Sequence, residues 1–187
     1  IFARNKRANP KLSLKLFGEN LKEVESTKFL GLVFDSHLNF FQQVNETKTK
    51  CSNRLNIIRI LSNRGWSLDE KILLNLYKSL IGPVIDYSFP CVNNMSEISI
   101  EKMQAIQNKA LRSILREFDA PPSKLDKFRE EKNLLKVANR LSEMNEKYVE
   151  SALVGGNPLI VRLVEEYKRG FLSRQEARST PLSNLAF

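Results

Sequence analysis

The sequence has no run of about 18 consecutive apolar residues, so no stretch of it reads as a membrane-spanning helix. Its opening residues lack the positive and apolar regions of a secretory signal. Residue 1 is isoleucine, which leads to the expectation of a start that is truncated, processed or incompletely delimited. There are only two cysteines, Cys51 and Cys91, and they lie far apart in helix-like surroundings. Such a pair is not a disulfide framework, and no Cys/His cluster has zinc spacing. A reducing, intracellular compartment, nucleus or cytoplasm, is the expectation. Histidine occurs once, as His37, with no serine or cysteine nucleophile placed beside it by a motif. Gly155-Gly156 lacks the spacing and the following Lys-Ser/Thr of a phosphate-binding loop. There is no adjacent Asp-Asp pair and no internal repeat. Asp35 ends an apolar strand and Asp86 lies in a short apolar helix; both read as structural residues, not as a metal-binding pair.

Positive charge is what the chain does have. Its 187 residues carry 30 Lys and Arg against 21 Asp and Glu, a net charge of +9. Residues 1–65 carry +7 of that charge, 66–117 are neutral, and 118–187 carry +2. A basic end on a mixed-charge body points to a polyanionic partner, most often nucleic acid. The hydrophobic content of 42% is enough for a core.

The first third reads as β. Lys11 to Leu16 alternates polar and apolar residues, Gly18-Glu19-Asn20 is a turn signal, and Leu21 to Glu25 can return as a second strand. Lys28 to Phe34 is nearly all apolar, like a strand covered on both faces, with Gly31 marking a bulge or a close backbone approach. After Asp35 the period becomes helical. Phe40, Val44, Cys51, Leu55, Ile58 and Leu61 form one stripe, ended by Arg64-Gly65. Ser67 to Glu70 has the form of a capping box that opens a second helix through Leu80. Gly82-Pro83 interrupts it, and a short apolar stretch, Val84 to Val92, follows. Ser96 to Ser99 caps a third helix to about Arg116, with Met103, Ile106, Ala110 and Ile114 on its apolar face. Ala120-Pro121-Pro122 is the clearest boundary. Charged helices near 123–131, 134–153 and 158–169 complete the pattern, with Leu134, Val137, Leu141, Met144, Tyr148 and Ala152 as the middle stripe.

Four cations of the third helix, Lys102, Lys109, Arg112 and Arg116, fall within an arc of about 80° at 100° per residue. The arc borders the apolar face, so it can lie along a phosphate backbone while the helix stays anchored. Lys50 and Arg54, one turn apart on the first long helix, are a lesser instance. Arg4, Lys6, Arg7, Lys11 and Lys15 make the densest positive run. Asn53, Asn56, Gln104, Gln107 and Asn108 can hydrogen-bond sugars and phosphates, or simply face water.

Lys28-Phe29-Leu30-Gly31-Leu32-Val33-Phe34-Asp35 resembles the segment that follows the catalytic palm motifs in reverse transcriptases of non-LTR (LINE-type, jockey-like) retrotransposons. Cys51 to Arg59 is similar to the first thumb helix of that family. Leu76 to Ile81 with Ile85-Asp86-Tyr87 is similar to its next helix pair, and Ile106 to Arg112 to a later thumb helix. The pieces keep the family order across residues 28–115, and the resemblance fades after Pro122. It implies that Phe29, Leu30 and Gly31 form the primer grip and that the helices hold nucleic acid. It also implies that the catalytic aspartates, and the Mg2+ they bind, belong to a palm that would lie before Ile1. No catalytic residue, metal site or cofactor is therefore expected in this chain, which alone would be inactive.

The expected fold class is α+β: a small antiparallel β region followed by a mostly helical, thumb-like bundle. The expected divisions are residual palm strands at 1–36, a helical domain at 37–120 and a charged helical region with a polar tail at 121–187. The expected role is holding nucleic acid as the C-terminal part of an RNA-directed DNA polymerase. Its expected partners are an RNA–DNA hybrid or primer–template duplex and the upstream palm and fingers of the same polymerase, with no membrane. The competing expectation is a decayed or domesticated helical interaction protein without a nucleic-acid role.

Overall fold

A computed structural model describes residues 14–66 and 68–168. The fold is α+β: two small antiparallel hairpins precede seven α-helices among these residues. The positive run from Arg4 to Lys11 and the proposed cap Ser67 lie outside the described residues.

Both hairpins turn through two residues with positive φ, the second of them glycine. Strands β1 (Lys15–Leu16) and β2 (Glu19–Asn20) join through Phe17 (φ 50°) and Gly18 (φ 87°). Strands β3 (Ser26–Phe29) and β4 (Leu32–Asp35) join through Leu30 (φ 46°) and Gly31 (φ 79°). Two successive positive φ values match the right-handed twist of the strands they connect. The sequence pattern puts the first turn at Gly18-Glu19-Asn20, slightly late, and reads Lys28 to Phe34 as one covered strand. Instead that run folds on itself: Phe29 pairs with Leu32, and Phe29 and Leu30 are 63% and 74% exposed. Gly31 is a turn residue, not a bulge.

Three backbone N–H groups bend the chain from β4 into the bundle. The Asp35 carboxylate accepts from His37 and Asn39 at 3.1 and 3.0 Å and from Phe40 at 2.6 Å. Helix α1 (Phe41–Leu61) then buries Val44, Cys51, Leu55 and Ile58, the expected stripe. It also buries two polar residues, Gln43 and Thr47. Gln43 Oε1 accepts from the Val33 N–H at 3.0 Å, and its amide reaches the hydroxyls of Thr47 and Ser88 at 3.3 and 3.4 Å. One buried amide thus fastens the second hairpin to the bundle.

Helix α2 (Glu70–Leu80) starts after Asp69, two residues later than a Ser67 cap would place it. Helix α3 (Gly82–Asp86) follows directly, with Pro83 in its first turn, where a missing N–H costs nothing. A 3-10 segment, Phe89–Asn94, leads to α4 (Glu97–Leu115), which Ser96 caps through the Ser99 N–H at 3.3 Å. Arg116 ends α4 in the left-handed region. Pro122 opens α5 (Pro122–Glu131), and α6 (Val137–Val154) and α7 (Pro158–Lys168) complete the order. On α6 the stripe runs Val137, Leu141, Asn145, Val149, because the Asn145 amide donates to the Phe89 carbonyl at 2.9 Å. Tyr148 is displaced to the surface beside the Phe89 ring. One apolar cluster runs from Leu32 through α1, α2 and α4 to Leu141.

The polar centre of the bundle is Gln107, 3% exposed. Its amide donates to Tyr77 Oη at 3.2 Å and to the Leu135 carbonyl at 3.0 Å. Its oxygen accepts from Gln104 at 2.7 Å and from Arg129 Nε at 3.0 Å. Both donors and both lone pairs are used, so the group is buried without an unmet partner. Arg129, 6% exposed, also donates to Asn108 and to Asp126. Gln104 accepts from the Val137 N–H at 2.9 Å, at the start of α6.

Replacing Gln107 with alanine leaves a buried arginine N–H, a carbonyl and a phenol short of partners. Urea unfolding of Gln107→Ala is expected to show a loss of roughly 2–4 kcal/mol, against about 1 kcal/mol for Tyr77→Phe. At the hairpin tip, a Cβ on Gly31 would sit 3.3 Å from the Tyr87 ring at a φ that disfavours it. Gly31→Ala is expected to cost roughly 1–2 kcal/mol, whereas Leu30→Asn relieves strain and raises the urea midpoint. Burial pushes the Cys51 and Cys91 thiols up to about 11 and the Tyr77 phenol up to about 12. The folded state therefore holds these protons at a pH where the unfolded chain has released them. The contribution of these groups is complete near neutral pH, and the unfolding midpoint should fall as pH rises from about 8 towards 11–12.

Candidate nucleic-acid interface

Helices α1 and α4 pack against each other more extensively than any other helix pair. They run in the same direction. Lys102, in the second turn of α4, stands 4.4 Å over the ring of Phe41, the first residue of α1. At the other end Arg59 and Ser62 share a cavity with Arg116 and Phe118. Helical spacing then sets which residues face each other across the groove. Phe41, Lys48 and Arg59 lie within about 20° of one another on one flank of α1, and Lys102, Lys109 and Arg116 within about 40° on the adjoining flank of α4. Five cations thus line two facing rows about 21 Å long. The exposed residues interleaved on these rows are Asn45, Ser52 and Ala105, and neither row contains a carboxylate. Lys48, Arg59 and Lys109 are exposed, and their side chains have no hydrogen-bond or ion-pair partner among the described residues.

The remaining cations singled out from the sequence sit elsewhere. Lys50 lies on the opposite flank of α1, 3.5 Å from Glu46, which also holds Lys28 at 3.2 Å. These two ammonium groups keep the Glu46 carboxyl below the ordinary carboxylate range, Lys28 having the larger effect. Arg54, on that same flank, donates to the Leu80 carbonyl at the end of α2. Arg112 lies at the edge of the α4 arc and donates to the Ala120 carbonyl at 3.1 Å. Arg116 reaches the Leu68 carbonyl at 2.8 Å while it also lines the groove end. Gln104, Gln107 and Asn108, the first and last of them half-buried, spend their groups on one another and on Arg129 in the bundle's polar network. Asn53 and Asn56 are exposed on α1.

The Phe29-Leu30-Gly31 turn projects from the Lys50 flank, away from the α1/α4 groove. Its tip is tied to the bundle by Tyr87, whose hydroxyl donates to the Leu30 carbonyl. The space that Gly31 leaves open is filled by the Tyr87 ring. An edge-to-face chain from Phe29 to Phe34 (6.4 Å) and Phe40 (5.5 Å) seats the turn at the start of α1.

Lys48 and Arg59 were not singled out from the sequence. Their signal was present in the spacing Phe41, Lys48, Arg59, but it acquires meaning only once α4 is known to lie parallel beside it. Among the described residues no group of three or more His, Cys, Asp or Glu is placed to hold a metal, and no helix is long and apolar enough to cross a membrane. Asp35 is consumed by the turn, and Asp86 pairs with Arg140 of α6 at 3.2 Å. A larger cleft, about 470 Å³, lies between α2, α3 and α6. It is lined by charges of both signs, Lys78, Asp86, Arg140 and Glu143, and so has no bias towards a polyanion.

No protein-family model matches the chain, and no solved structure matches it. Over 101 residues, 54% of its length, the chain is 25% identical to a "Probable RNA-directed DNA polymerase from transposon BS" of Drosophila melanogaster. The matched part is 11% of that protein, so the chain spans about a tenth of the length of this relative. The similarity is distant and supports at most a reverse-transcriptase-related protein.

Arginines bound to backbone carbonyls and cations open to solvent should behave differently on substitution. Arg54→Met and Arg112→Met each remove a charge-assisted bond to a carbonyl and are expected to lower the urea midpoint by the equivalent of about 1–2 kcal/mol. Lys48→Ala and Lys109→Ala are expected to change it by less than about 0.5 kcal/mol.

Proposed function

We propose that this chain holds nucleic acid as the C-terminal, thumb-like part of an RNA-directed DNA polymerase of a non-LTR retrotransposon, and that it does not itself carry polymerase chemistry. The observation that carries this reading is the carboxylate-free double row of Lys48, Arg59, Lys102, Lys109 and Arg116 along the α1/α4 groove. A row of cations on rigid helices suits a phosphate backbone, which it can follow without reading sequence. The distant similarity to a transposon polymerase supports the same choice of ligand, an RNA–DNA hybrid or a primer–template duplex.

The Phe29-Leu30-Gly31 turn is a second contact in this reading, with the role of a primer grip. Leu30 is a large apolar residue in a strained left-handed corner, mostly exposed. An arrangement that lowers stability and presents a side chain to the outside suits contact with a partner. The exposed Leu14, Leu16 and Phe17 at the first hairpin, with Val24 in the link to the second, are the matching surface for the rest of the polymerase, its palm and fingers.

Fluorescence anisotropy with a labelled mixed-sequence RNA–DNA hybrid, titrated over salt, tests the reading. Binding should weaken steeply with salt. The Lys48→Ala, Arg59→Ala, Lys109→Ala triple variant should lose affinity uniformly across sequences and flatten the salt slope by up to about three. Unchanged slope in the triple variant, or a chain that ignores both hybrid and heparin at physiological salt, would sink it and favour a protein-interaction role.

A further inference from the structure

The groove between α1 and α4 does not run out onto open surface at its far end. It meets a cavity of about 410 Å³ lined by Arg59, Ser62, Asn63, Arg116 and Phe118. The residue types are those that bind a single nucleotide. Phe118 is 66% exposed and has no ring partner among the described residues. It sits just beyond α4, where the backbone has reversed through the left-handed Arg116. The Arg59 guanidinium has no partner among the described residues, and Arg116 spends one nitrogen, Nη2, on Leu68. The Asn63 carbonyl accepts from the Gly65 N–H at 3.4 Å, which orients the amide and leaves its NH2 group as a donor. Among the described residues no carboxylate lines the cavity. Two carboxylates flank Phe118 along the chain: Glu117 is held by Lys124, which reaches both of its oxygens at 2.6 Å, and Asp119 is exposed and lies outside the lining.

Two helix C-termini converge here, and their partial negative charge works against an anion. Two arginines in the same place more than offset half a charge from each helix, so the cavity keeps a positive bias. Part of their role is therefore electrostatic compensation, and the exposed ring of Phe118 is the feature that compensation does not explain. An aromatic face beside paired guanidinium groups is the arrangement that stacks an unpaired base and neutralises its phosphate. Pairs inside a duplex present no free face and a blunt end presents only one, so the ring is best used by an unpaired base.

We infer that the cavity at the shared C-terminal end of α1 and α4 binds one unpaired nucleotide of a strand that overhangs the duplex in the groove. Phe118 stacks on the base, Arg59 and Arg116 take its phosphate, and the Asn63 amide donates to an acceptor on the base edge. This rests on the groove being a nucleic-acid surface, and the two can fail separately.

The test compares a blunt RNA–DNA hybrid with the same hybrid bearing a short single-stranded overhang, by anisotropy on the full chain at fixed salt. The overhang should tighten binding on the order of 10-fold, as one stacked base does. Phe118→Ala should abolish that gain and leave blunt-hybrid affinity unchanged, while Phe118→Trp should retain it. Because Phe118 is outside the core, an unchanged urea midpoint in Phe118→Ala confirms that the fold is intact. An overhang that brings no gain while the blunt hybrid binds with steep salt dependence overturns the cavity's role and leaves the groove standing. An abasic overhang that works as well as the normal one reduces the cavity to a phosphate contact and overturns the stacking. No binding of either hybrid overturns both readings.

Discussion

Four hydrogen bonds saturate the buried amide of Gln107: three tie α4 to α2 through Tyr77, to α5 through Arg129 and to the loop before α6 through the Leu135 carbonyl, and the fourth, from Gln104, lies within α4. Apolar packing is non-directional and tolerates sliding. An interior amide does not tolerate it, since a shift that breaks one bond leaves a buried donor or acceptor unmet. The azimuth of α4 is thereby fixed. With Gln104, Gln107 and Asn108 drawn inwards on one side, Lys102, Lys109 and Arg116 are turned to the other, beside α1.

Gln43 plays the corresponding part for the β region. It links a strand N–H to α1 and to Ser88, so the hairpin is positioned by a buried polar contact as well as by its phenylalanines. Two glutamines thus set the two relationships on which the surface depends: hairpin to α1, and α4 to everything behind it.

Helix positions were legible in the sequence because apolar periodicity and Pro/Gly punctuation report local structure. The stripe Val44, Cys51, Leu55, Ile58, the Gly82-Pro83 interruption and the break between helices at Pro121-Pro122 all appear where the pattern puts them. Reading polarity as exposure is what misleads. Gln43, Thr47, Gln107 and Asn145 look like surface residues and are buried, because each meets a partner far away in the chain. The folding-back of Lys28 to Phe34 was hidden for a different reason. Leucine is a poor choice at the first corner of such a turn, so Leu30-Gly31 does not announce itself as Asn-Gly would. The cationic arc of α4 was visible, but it is only half of a surface. Arg54 and Arg112 were indistinguishable by sequence from Lys109, although two of the three spend their donors on backbone carbonyls.

The second hairpin is held at two points of unequal strength. One pair behind the tip pair, the Val33 N–H is bound to a buried glutamine; at the tip, one phenol on the surface holds the Leu30 carbonyl. A solvent-accessible bond of that kind contributes about 1 kcal/mol, and the Phe29–Phe34 ring contact and the Tyr87 ring against Gly31 add to the hold on the tip. The Val33 end does not move with the tip. Such a tip is a short lever on a fixed pivot, and its resting position is an equilibrium that a few contacts from outside can shift in either direction.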